Sequence, residues 1–95
     1  MKSFRYRLSF STNEAKEIAK QLGINFENEK FNLEQFRMGL DVELEHGRIN
    51  PKTNVTDDDD LLTGKIALAH LNEIPDYYTR LAKLEKEGKD YWKNK

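Results

Sequence analysis

Two pairs of residues in this 95-residue chain have the types and spacing to do chemistry: Glu43 with His46, and His70 with Glu73. Each is a carboxylate and an imidazole three residues apart, and side chains at i and i+3 share one face of a helix. On a helical wheel, Glu43 and His46 fall inside the apolar arc of their segment, beside Phe36, Gly39 and Leu40. The opposite side already takes Glu34, Arg37, Asp41 and Glu45, so polar residues had another place to go. His70 and Glu73 interrupt the apolar surface of 61–74 in the same way. Bundles that hold two iron or manganese ions project a Glu-x-x-His pair inward from each of two helices, and further carboxylates complete the site. Glu14 or Glu17 would have to supply those here, and their spacing does not single them out. An imidazole beside a carboxylate also suits acid–base work. Charged groups are rarely buried unpaired, however, so mutual hydrogen bonding accounts for the pattern without an ion. The expected arrangement is a polar cluster of Glu43, His46, His70 and Glu73, with no cofactor; a divalent metal is the alternative.

Other residue groups have weaker claims. Asp57, Asp58, Asp59 and Asp60 could hold a cation, but the run lacks the alternating ligands, central glycine and distant glutamate of a calcium loop. Crowded behind Thr56, they suit the first turn of a helix, where carboxylates meet the positive end of the dipole. Tyr78 and Arg80 are of the types that make binding hot spots. With Phe4 and Tyr6 of the amino-terminal arm they form the candidate interaction surface. Lys2, Arg5 and Arg7 interleave with those arm aromatics, a combination that can meet phosphates and stack bases, yet a net charge of −1 disfavours nucleic acid. The absence of cysteine excludes disulfides, thiol catalysis and cysteine zinc sites. No phosphate-binding loop, dinucleotide fingerprint or Ser-His-Asp order is present. With no apolar run near 20 residues and no signal-peptide core after Met1, the expected location is the cytoplasm, away from membranes.

Helices must position these groups. Ser11 and Glu14 form a capping box, Ala15, Ile18, Ala19 and Leu22 follow at helical spacing, and Gly23 stops the helix. Asn32 with Gln35, flanked by Phe31 and Phe36, opens a second helix over 33–46 that Gly47 ends. Thr56 is the expected cap of a third, and 61–74 is apolar nearly all round, which predicts the central, most buried helix. Pro75 breaks it and opens a fourth helix to Trp92. That helix carries Tyr77, Leu81, Leu84, Gly88, Tyr91 and Trp92 in one stripe, with Trp92 expected to fasten its end. Residues 1–10 alternate Phe4, Tyr6, Leu8 and Phe10 with polar positions, as an extended arm or short strand does. The whole is one domain over 1–95: an all-α, four-helix core over 11–92, the arm before it and a frayed tail at 93–95.

The run Phe36-Arg37-Met38-Gly39-Leu40-Asp41-Val42-Glu43-Leu44-Glu45-His46-Gly47, with Asn54-Val55-Thr56-Asp57-Asp58, 63–73 and Pro75-Asp76-Tyr77-Tyr78-Thr79-Arg80-Leu81, resembles a family of small bacterial and phage proteins known only as a domain of unknown function. The resemblance spans Phe10 to Trp92 and implies no activity, substrate or catalytic residue. The residues alone favour a non-catalytic module that binds a protein partner or itself over a metal-binding protein or metal-dependent enzyme.

Overall fold

The computed structural model describes residues 9–93, so the arm residues Phe4 and Tyr6, with Lys2, Arg5 and Arg7, lie outside the described residues. Four helices form: α1 (Thr12–Gln21), α2 (Leu33–Glu43), α3 (Asp60–Glu73) and α4 (Tyr77–Lys93), with short 3-10 turns at Phe26–Asn28 and Leu44–His46. The fold is all-α, with no strand among the described residues.

The start of α1 follows from its cap. Ser11 Oγ accepts the Glu14 N–H at 3.1 Å, and Glu14 Oε1 accepts the Ser11 N–H at 2.8 Å. Gly23 follows the helix at φ +74°, the left-handed conformation that costs a glycine nothing. At α2 the Asn32 side chain accepts the Gln35 N–H at 2.9 Å. The last turn of the expected 33–46 helix tightens into the 3-10 turn at Leu44–His46, a common way for an α-helix to end.

The central helix is α2, which packs on α1, α3 and α4. Phe36, Gly39, Leu40 and Glu43 form its buried side. The core joins Phe36 and Leu40 to Phe10, Ile18, Phe31 and Leu71. Against expectation, α3 is not the most buried helix: Leu61, Leu62 and Ile74 are exposed, and its covered side is Thr63, Gly64, Ala67 and Leu71. Small residues decide which side is covered because they admit close neighbours. A Cβ on Gly64 would meet Leu22 Cδ1 at 2.8 Å and Ile18 Cγ2 at 2.9 Å, so α1 lies directly against that backbone.

Two further expectations are corrected. Helix α3 is capped by Asp59, whose side chain accepts the Leu62 N–H at 2.9 Å, and not by Thr56. Thr56 is instead buried in the preceding turn, where its N–H donates to the His46 carbonyl at 3.2 Å. Trp92 does not fasten α4: it is 74% exposed, and residues 82–93 are exposed throughout. At 1.5 Å per residue, Trp92 sits roughly 20 Å along the axis from Tyr78, the buried anchor of α4, beyond the layer that α2 and α3 provide.

Candidate functional site

The side chains that could do chemistry meet where the end of α2 faces α3 and the start of α4. Glu43, the last residue of α2, is 3% exposed. The Tyr78 hydroxyl donates to its Oε2 at 2.7 Å. His70 of α3 brings Nε2 to 3.5 Å from the same oxygen, and His46 brings Nε2 to 3.7 Å from Oε1. Three of the four residues expected to cluster do so. Glu73 is exposed at the end of α3 and pairs with none of them; His70 already stands at the edge of the buried side, and Glu73 lies a net rotation of about 60° further round the helix toward solvent.

The cluster is a buried carboxylate under two half-exposed imidazoles, with side-chain exposures of 4% for Glu43, 39% for His70 and 51% for His46. The His70 ring lies parallel to Tyr77 at 4.4 Å and edge-on to Tyr78 at 6.2 Å. Tyr78 is 1% exposed, which corrects its expected place on an interaction surface. Its ring rests on Gly39, where any Cβ would collide with ring carbons Cε2 and Cζ. The bare backbone of α2 therefore seats an aromatic ring, and that seat delivers the hydroxyl to Glu43. Burial pushes the Tyr78 hydroxyl far above the ordinary tyrosine range, and the bond to Glu43 pushes it the same way, so the phenol stays protonated and donating.

Chemically, the arrangement fixes one carboxylate oxygen with the Tyr78 hydroxyl and sets two imidazoles at the rim of the same carboxylate. Among the described residues, no group of three or more His, Asp or Glu is arranged to hold a metal ion, and Glu14 and Glu17 stay on exposed or capping positions of α1.

The aspartate run ties down a loop. Arg48 grips Asp57 through Nε at 2.8 Å and Nη2 at 3.1 Å, and its own N–H donates to Asp58 Oδ1 at 2.9 Å. The guanidinium bond holds the Asp57 carboxyl below its ordinary range, with a smaller contribution from Asn54. Asp57 and Asp58 take φ of +53° and +62°, a left-handed backbone that aspartate tolerates better than most side chains. Asp59 caps α3 and Asp60 begins it. The carboxylates thus serve three separate jobs and do not converge.

Over residues 15–87 the chain matches the family described as "Protein of unknown function (DUF5661)". The chain belongs to this family. The match runs from the first buried residue of α1 to the middle of α4, so the family's shared part contains the whole Glu43 cluster. No curated protein and no solved structure matches the chain.

Two features of the site escaped the sequence. Arg37 and Asp41, expected on the solvent side of α2, hold the incoming chain: Asp41 Oδ1 accepts the Phe10 N–H at 2.7 Å, and Arg37 Nη1 donates to the Phe10 carbonyl at 3.4 Å. Arg37 also pairs with Glu34 at 2.7 Å and with Asp41 at 3.1 Å, and the Glu34 bond raises the guanidinium further above its usual range. The signal was the i,i+3 and i,i+4 spacing of opposite charges around Arg37. The second feature is the phenol of Tyr78 itself. Periodicity places its neighbour Tyr77, not Tyr78, on the stripe of α4, so only the glycine seat on α2 singles out Tyr78. Arg80 is exposed and pairs with Asp76 at 2.7 Å.

Proposed function

We propose that this domain is a non-catalytic protein-interaction module that presents the outer half of α4 to a partner. The observation that carries the reading is the exposure of Leu84 (63%), Tyr91 (55%) and Trp92 (74%) on the same stripe that part-buries Tyr77 and Leu81 nearer the core. A helix of this length is marginal in water unless tertiary packing covers its apolar side. Among the described residues, only the first turns of α4 obtain that cover. Aromatic side chains are enriched in the centres of interfaces, where they bury large areas.

In this reading the Glu43 cluster is structural: it clamps α4 to α2 and α3 and so sets the direction in which the outer half projects. The metal-dependent alternative is supported by the approach of Glu43, His46 and His70, and opposed by the exposure of Glu73 and by the lack, among the described residues, of a second carboxylate beside Glu43. Among the described residues no helix is long and apolar enough to cross a membrane. We place the module in the cytoplasm, where its partner would be a protein and not a lipid or a nucleic acid.

The test is a photo-reactive amino acid placed at position 84 or 91 of the full chain inside cells. The expected result is a discrete cross-linked protein species that disappears when Trp92 is changed to Ser, while a probe at the exposed Lys16 on α1 gives none. Equal labelling from both positions, or none from either, overturns the reading.

A further inference from the structure

The order of charges along α4 carries this reading to a partner. Arg80, Lys83, Glu87 and Asp90 follow one another at spacings of three and four along one flank of the exposed stripe, basic toward the start of the helix and acidic toward its end. A helix laid antiparallel against this one presents the same sequence in the reverse order. We propose that the partner is a second copy of this chain, packed antiparallel along α4 about a two-fold axis near Leu84; the inference rests on the proposed function above. In that arrangement Arg80 and Lys83 of each copy lie along Glu87 and Asp90 of the other, on both sides of the axis. A self-complementary surface of this kind is what a closed two-fold dimer requires.

Gly88 is an independent observation in favour. It lies in the stripe, inside a helix, with nothing within 4 Å of where a Cβ would stand. Among the described residues no turn and no neighbour requires a glycine there, and glycine weakens a helix interior. A second helix that approaches the bare backbone does require it. The open groove beside Gly88, walled by Glu85, Lys89 and Trp92 with Glu45 of the turn after α2 across from them, takes the exposed Leu84 side chain of the second copy. Arg80 and Asp90 already hold Asp76 and Lys86 along their own helix, but such exposed pairs exchange at little cost.

The contact is confined to half a helix from each copy and is therefore smaller than a standard stable interface, which buries about 1,600 Å². Association should accordingly be weak and concentration-dependent. Sedimentation velocity of the full chain from about 1 µM to about 1 mM covers the range expected of so small an interface. The expected result is a shift from one chain to two with rising concentration, lost in Leu84→Asp and weakened at least threefold in Gly88→Leu. Charge reversal then tests the orientation. The double variant Arg80→Glu with Lys83→Glu should be monomeric alone, as should Glu87→Lys with Asp90→Lys, while an equimolar mixture of the two should dimerise more tightly than the unaltered chain. A monomer at every concentration overturns the inference, as does a dimer indifferent to these charges. A chain that stays monomeric yet cross-links from position 84 to a different protein overturns the second-copy inference and leaves the interaction-module reading standing.

Discussion

At the scale of single residues, the buried carboxylate of Glu43 controls how α4 is held. It takes a strong hydrogen bond from a fully buried phenol and looser contacts from two imidazoles that water can reach. Removing a buried partner leaves the other unsatisfied, at about 1–3 kcal/mol. Tyr78→Phe should therefore lower stability by about 1–3 kcal/mol in a denaturant titration with little change in slope, because the ring still fills the seat at Gly39. The histidines should separate from one another. His70 stacks on Tyr77 and is the less exposed, so His70→Ala removes packing and should cost about 1 kcal/mol, whereas His46→Ala at the rim should stay within about 0.5 kcal/mol. Equal losses in the two variants would show that both imidazoles bear on the carboxylate alike, contrary to their exposures.

At the scale of elements, the loop between α2 and α3 is organised by charges on its own chain. Arg48 draws Asp57 into a two-pronged pair, Asp58 accepts the Arg48 N–H beneath Gly47, and Asp59 caps α3. Because Arg48 holds the Asp57 carboxyl below the ordinary aspartate value of about 3.9, folding favours the ionised form. That contribution is complete above about pH 4 and is lost as the pH falls through the lowered folded value. The difference in stability between the unaltered chain and Arg48→Ala should thus be constant from pH 7 to about pH 5 and shrink below about pH 4; a constant difference down to about pH 2 would mean that Arg48 acts by packing alone. The same loop shows why the sequence was legible only in part. Caps at Ser11 and Asn32 and stops at Gly23 and Gly47 are local signals, and their helices start and end where those signals stand. Thr56 and Asp59 are both capping residues by type. What separates them is a distant partner, the His46 carbonyl, which takes the backbone N–H groups of Val55 and Thr56 and forces the chain to turn once more before α3. Periodicity likewise placed Glu43, His46 and His70 on facing helices but put Glu73 with them, since an apolar surface all round α3 conceals which side its neighbours cover.

At the scale of the whole molecule, the domain is wider than its length requires. A compact chain of 95 residues has a radius of gyration of roughly 12 Å, and this one has 14.5 Å, with axes of 45 × 42 × 20 Å. A flat body with one helix running past it divides the chain into a part that holds the fold and a part that does not. The buried residues run from Phe10 to Tyr78, and Leu81 is the last to pack against them. Past that point α4 adds exposed surface and the Lys86–Asp90 pair at 2.8 Å, an exposed contact of the kind that contributes little. A chain ended after Glu85 should therefore keep one cooperative unfolding transition, within about 1 kcal/mol of the full chain at concentrations where both are monomeric. Hydrogen exchange on the full chain should agree, with amides of 86–93 exchanging far faster than those of α2, and gaining protection only as the concentration rises. Collapse of the shortened chain would show that the outer half of α4 carries the fold as well as facing a partner, and the division of labour between its two halves would fail with it.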